Sequence, residues 1–254
     1  MALPEFQNPY KPGAGHMPPH LAGRENEYAE FDRLLKQETI LENLVLTGLR
    51  GVGKTVLLET LKPRALQEGW VWAGTDLSET ASLSEVNLAN RLIVDLSVNT
   101  SAISIDDPHE LSLGFAPGKA SRIRLSYEVL VSVFETTPGL AADKLKAVLE
   151  FAAHHLGENG RHRVIFAYDE AQNLADKAER DQFPLSMLLD VFQSIQKKNI
   201  SFMLVLAGLP TLFPKLVDSR TFAERMFRVV TIGRLSDSES REAILTPLEV
   251  ANCP

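Results

Sequence analysis

The chain has 254 residues, 44% of them hydrophobic and 23% charged, with 15 glycines and 14 prolines spread along it. That is enough to bury a core without disulfide or metal staples, and it excludes a disordered or fibrous chain. Its 26 basic against 33 acidic residues leave a formal charge of −7, with no overall pull toward nucleic acid, and the single cysteine, Cys253, excludes an intrachain disulfide framework and a cysteine-based zinc site.

Residues 1–17 read as an extended arm, because Pro4, Pro9 and Pro12, followed by Pro18 and Pro19, fix φ and remove backbone donors. The opening has no basic start followed by an apolar run, so no signal peptide is expected. The longest apolar stretch, 202–207, is too short to cross a bilayer, and the expected location is the cytoplasm. After the arm, Tyr28, Phe31, Leu34 and Leu35 follow helical spacing with charges on the opposite face. Residues 43–47 form an apolar run ending in a glycine-rich turn. Residues 55–69 read as a helix in which Pro63 is expected to make a kink or break.

A second strand over 70–73 and a second helix over 82–97 follow. Residues 101–138 carry proline and glycine punctuation and are expected to be an insertion with a hairpin around 116–119, whose Lys119, Arg122 and Arg124 read as solvated surface. Beyond it, Leu145, Val148, Leu149, Ala152 and Leu156 share a helical face, 164–168 is a fully apolar strand, and Leu185, Leu188, Leu189, Phe192 and Ile195 repeat the helical stripe. Strands at 200–207 and 227–232 come next, and Ser236 with Glu239 forms a capping box that starts a last helix. Strands apolar on both faces, alternating with amphipathic helices, predict an α/β fold with a parallel sheet covered on both sides.

Gly48-Leu49-Arg50-Gly51-Val52-Gly53-Lys54-Thr55 fits the G-x-x-x-x-G-K-[ST] pattern and stands between an apolar strand and a helix. Glycines at these spacings let the backbone curl so that its N–H groups converge on phosphates, and the helix N-terminus adds partial positive charge. Gly48, Arg50, Gly51, Val52 and Gly53 are therefore expected to line the phosphates, Lys54 to reach the β- and γ-phosphates, and Thr55 to complete a magnesium shell. The strand at 164–168 runs into Asp169 and Glu170. Asp169 is expected to hold magnesium through water, and Glu170 to polarise the attacking water as general base. The second carboxylate points to hydrolysis rather than phosphotransfer. His154 and His155 project about 100° apart on a helix with no further ligand expected at i+4, which disfavours a metal site.

Three local runs carry a family resemblance: His20-Leu21-Ala22-Gly23-Arg24-Glu25-Asn26-Glu27, the 48–55 loop, and Asp169-Glu170-Ala171-Gln172-Asn173-Leu174. They resemble the AAA+ P-loop ATPases, in the clade that groups origin-recognition initiators, related bacterial and archaeal ATPases and the STAND signalling switches. The likeness covers about residues 18–250, and 202–210 is similar to the clade's fourth core strand. It implies a three-layer P-loop sandwich over 18–233, with Leu21 and Arg24 at the adenine end, and over 234–254 the first helix of a helical lid cut short. It also implies that Arg225, or second to it Arg228, reaches a neighbouring subunit's γ-phosphate as an arginine finger. The chain departs from the family at Ala207-Gly208-Leu209, where a polar sensor residue is usual. Gln172, within a helical turn of Glu170, has two readings, a group that helps to position water and a solvated side chain, of which the second is the leading one.

The implied ligands are ATP or ADP and Mg2+, the implied partners a homo-oligomer or another protein, with nucleic acid reached only through a local patch and no membrane. The leading expectation is an ATP-binding module that hydrolyses ATP to drive conformational change. Its rivals are a nucleotide-gated switch or scaffold with little turnover and, by family analogy, an ATPase subunit in DNA replication or transposition.

Overall fold

The computed structural model describes residues 8–10, 17–106 and 122–251. Helix α1 (Glu25–Leu35) buries Phe31, Leu34 and Leu35, the apolar stripe of its sequence. β1 (Asn43–Thr47) is buried along its whole length and runs through the 48–53 loop into α2 (Lys54–Gln67). α2 continues through Pro63, so the proline does not break the helix. The carbonyl that the proline ring deprives of a partner belongs to Glu59, and both residues are exposed, so water can take the lost hydrogen bond.

The chain continues through β2 (Val71–Ala73) and α3 (Glu85–Thr100). β3 (Ser104–Asp106) and β4 (Arg122–Arg124) pair antiparallel apart from the main sheet. The expected hairpin tip at 116–119, with Lys119, lies outside the described residues, whereas Arg122 and Arg124 stand on β4. α4 (Tyr127–Thr136) follows and buries Leu130 and Phe134 in the main core. α5 (Ala141–Glu158), β5 (Arg163–Tyr168), α6 (Pro184–Gln196) and β6 (Ser201–Gly208) follow the predicted alternation. After them come α7 (Leu212–Ser219), the single turn α8 (Ala223–Met226), β7 (Phe227–Thr231) and α9 (Asp237–Val250).

Five strands form one parallel sheet in the order β2-β5-β6-β1-β7. Its two faces separate residue by residue. Along β5 and β6, Val164, Phe166, Tyr168, Phe202, Leu204 and Leu206 pack into one core with the apolar stripes of α3 to α6. The alternate residues Ile165, Ala167, Met203, Val205 and Ala207 pack with α1 and α2 into the other. A strand buried on both faces has no polar phase, which is why these runs read as continuous hydrophobics. Where the strands begin, a buried amide pair closes the sheet: Gln196 Nε2 donates to Asn43 Oδ1 at 2.9 Å, and Asn43 Nδ2 donates to Met226 O at 3.2 Å. Where they end, the sheet opens to the site. Thr47 stands level with Gly208 and Thr231, and Asp169 bridges to Asp76, so the loops after β1, β5, β6 and β7 leave from one edge. Among the described residues no helix is long and apolar enough to cross a membrane.

Candidate functional site

The loop after β1 is built by two glycines in the left-handed region, Gly51 (φ 81°) and Gly53 (φ 92°). A Cβ on either would meet nothing within 4 Å, so both face open space and are required for backbone conformation rather than for packing. Gly53 is the N-cap of α2 and offers no side chain to its first turn, whose N–H groups are left for an anion. Lys54 Nζ donates to the carbonyls of Gly48 at 2.9 Å and Leu49 at 2.8 Å, so the ammonium lies across its own loop. Gly48 is tied to the next strand by its N–H, which donates to Gly208 O at 3.3 Å.

Thr55 and Asp169, 114 residues apart, are in direct hydrogen-bond contact, Thr55 Oγ1 donating to Asp169 Oδ2. Asp169 is only 3% exposed, and its other oxygen accepts from Glu170 N at 2.8 Å. Glu170 is exposed and takes a left-handed conformation (φ 52°), unfavourable for a residue with a Cβ. Its carboxylate accepts from Gln172 Nε2, while Gln172 Oε1 accepts from Leu209 N at 3.1 Å. The expectation that Gln172 is only solvated is thus corrected: its amide is engaged at both ends. As the sequence predicts, no polar side chain stands at the end of β6.

A cavity of about 520 Å3 adjoins the loop and is lined by Leu21, Arg24, Arg50, Gly51, Val52 and Gly53 together with the start of α9. Arg24 is 7% exposed, not the surface arginine that its place at a helix start allows. Its guanidinium donates to Val52 O at 2.9 Å, Gly233 O at 3.2 Å and Glu27 Oε1 at 3.2 Å, tying the segment before α1 to the phosphate loop and to the β7–α9 connection. Nothing in local sequence marks that role, since its partners are 28 and 209 residues away.

Arg225 is not part of this constellation. It is exposed on α8 at the start of β7, the opposite end of the sheet, and lines a separate cavity of about 400 Å3. Arg228, the second candidate, is held in a two-pronged pair with Glu30 of α1 at 2.9 and 3.0 Å, which keeps that carboxyl below its ordinary range. The expectation about the histidines needs correction, because Glu158 supplies the i+4 carboxylate. It lies 3.4 Å from His154 Nε2 and 2.9 Å from His155 Nδ1, on α5.

Behind Asp169, Tyr168 is fully buried and its hydroxyl donates to Asp95 Oδ2 at 3.0 Å. Arg91 clamps the same carboxylate through Nε at 3.0 Å and Nη2 at 2.5 Å. Burial pushes the Asp95 carboxyl up, with Arg91 and the tyrosine pulling it back, and burial beside that carboxylate pushes the Tyr168 hydroxyl well above its ordinary value. No local pattern marks this cluster, because Asp95 stands among the buried Leu88, Leu92, Ile93 and Leu96 of α3 and Tyr168 ends a separate apolar strand.

A glycine-rich G-x-x-x-x-G-K-T loop at the carboxyl edge of a parallel sheet, with an acid pair following the strand two places away, is the arrangement of a P-loop nucleotide-binding α/β protein. A family profile described as AAA ATPase domain matches residues 20–212, and the chain belongs to that family. Among solved structures, it is similar to Cdc6p from Pyrobaculum aerophilum (TM-score 0.56, 15% identity, covering 94% of this chain and 52% of that one). It is also similar to the ORC2 protein of Aeropyrum pernix in ADPNP–ADP complexes (TM-score 0.56, 15% identity, 94% and 55%). The chain thus spans about half the length of these structures, and at such identity the likeness is one of fold. No match to the chain is found among the curated proteins.

Proposed function

We propose that this AAA ATPase domain binds ATP and hydrolyses it with magnesium. The observation that carries the reading is the contact between Thr55 and Asp169 at the mouth of the loop, with Glu170 next in the chain. The fit to the ligands rests on geometry: two open left-handed glycines leave room for phosphates, a free helix N-terminus and Lys54 supply positive charge, and a hydroxyl and a carboxylate converge as hard oxygen donors suited to Mg2+.

In this reading the loop N–H groups and Lys54 hold the phosphates, the ammonium leaving the carbonyls of Gly48 and Leu49. Leu21 and Arg24 line the base end of the cavity that adjoins the loop. Thr55 and Asp169 hold the magnesium, which when bound neutralises charge on the phosphate oxygens. Glu170 accepts the proton of the attacking water. Residues 18–233 form the ATPase core, and α9 is the first helix of a lid over 234–254, with Arg24 linking the two through Gly233.

The test is single-turnover hydrolysis in Glu170→Gln. Phosphate release is expected to fall by about 10²–10⁴-fold with nucleotide affinity retained, and unchanged release overturns the general-base assignment. Lys54→Ala is expected to weaken nucleotide binding itself, and failure to do so removes the phosphate-loop assignment. A second reading, a switch that binds ATP or ADP with little turnover, is favoured by one observation: β6 ends in Ala207 and Gly208 with no polar side chain to face a γ-phosphate.

A further inference from the structure

The bare end of β6 is not left without a polar group. A Cβ added to Gly208 would come 2.7 Å from Gln172 Oε1, 3.0 Å from Leu212 Cδ2 and 3.3 Å from Gln172 N. The space that a side chain at position 208 would fill is already taken by the carboxamide of Gln172. That carboxamide is fixed at both ends, accepting from Leu209 N at 3.1 Å and donating to the Glu170 carboxylate. Its backbone is pinned too, for Lys215 Nζ of α7 donates to Gln172 O at 3.0 Å. The residue it holds, Glu170, sits in a left-handed conformation that neighbouring structure must sustain.

From this geometry we infer that Gln172 is the positioning residue for Glu170, its amide standing at the end of β6 in place of a polar side chain from that strand. An amide suits the task because one end accepts from the backbone while the other donates to the carboxylate, so both orientations are set at once. A glutamate of the same shape can still accept from Leu209 N but cannot donate, and it sets a second negative charge against Glu170. Gly208 is the complement of Gln172: with no side chain there, the amide can reach the strand. This inference rests on the proposed hydrolysis and assigns a role within the same site.

The test is steady-state ATPase and fluorescent-nucleotide binding of the full chain carrying Gln172→Ala, Gln172→Glu, and Gln172→Ala combined with Gly208→Asn. Both single variants are expected to lose at least about tenfold in kcat, a fraction of a general base's contribution, with nucleotide Kd unchanged and thermal midpoints close to the parent. A role confined to packing predicts a different pattern, since the isosteric Gln172→Glu would then keep its turnover. In the double variant, an asparagine amide on β6 enters the space vacated by Gln172 and is expected to recover part of the lost kcat. Full turnover in Gln172→Ala, or full turnover in Gln172→Glu, overturns the inference while leaving the hydrolytic reading intact. Absence of turnover in the unsubstituted chain, equal to Lys54→Ala, overturns the hydrolytic reading and this inference with it.

Discussion

Asp95 illustrates how a single side chain can couple the core to the site edge. It is 6% exposed on α3 and bonded to Arg91 and Tyr168, and Tyr168 is followed directly by Asp169. Because burial raises its carboxyl above the unfolded value, its contribution to stability is fully present below the ordinary aspartate range and is lost as pH rises through the folded value. Asp95→Asn removes that titration. Urea unfolding at acid and at neutral pH is therefore expected to show the variant gaining relative to the parent as the pH is raised, and a difference independent of pH would refute the assignment. Arg91 faces a charged partner in the parent only once Asp95 is ionised, and that attraction is already contained in the net upward direction.

Among the elements, α2 and β5 were legible because their chemistry is local. A strand, a glycine-rich turn and a lysine in a helix's first turn lie within a dozen residues, and the acid pair directly follows an apolar run. The joints between elements were not. Arg24 links the approach to α1, the phosphate loop and the β7–α9 connection through two backbone carbonyls, and carbonyls leave no trace in a sequence. In the proposed site, Arg24→Ala is expected to raise nucleotide Kd roughly tenfold, equivalent to about 1.4 kcal/mol. Arg24→Lys is expected not to restore it, because one ammonium cannot reproduce the fork of a guanidinium. Calorimetric titration with ADP measures both, and parental affinity in Arg24→Ala would dissociate this residue from the pocket. Pro63 marks the converse limit: its ring is disruptive in isolation, yet burial of Leu57, Leu58, Leu61 and Ala65 along α2 outweighs one exposed hydrogen bond.

On the scale of the molecule, the parallel sheet decides which residues can act together. β1 and β7 run in register from Asn43 and Phe227 to Thr47 and Thr231. The phosphate loop leaves the far end of β1, while Arg225 precedes the near end of β7, so four residues of strand rise, about 13 Å, separate the two levels. Any part Arg225 plays in hydrolysis is therefore proposed to be in another copy's site. Specific ATPase activity is then expected to rise with protein concentration, and Arg225→Ala to abolish that rise while nucleotide Kd stays at the parental value. Activity per chain that is independent of concentration, and equal in Arg225→Ala, would exclude the assignment.

The alternation of doubly buried strands with amphipathic helices, the glycine-rich loop with its lysine and the acid pair are all readable along the chain. In each case the physical cause operates over a few neighbouring residues: side-chain period, glycine backbone freedom and a helix N-terminus. The direct hydrogen bond from Thr55 to Asp169, the Gln172 amide over Gly208, the burial of Arg24 and the separation of Arg225 from the loop come from the tertiary fold. Those outcomes depend on strand order and register, which bring residues up to 209 positions apart within hydrogen-bond reach, and local periodicity carries no information about which strand becomes whose neighbour.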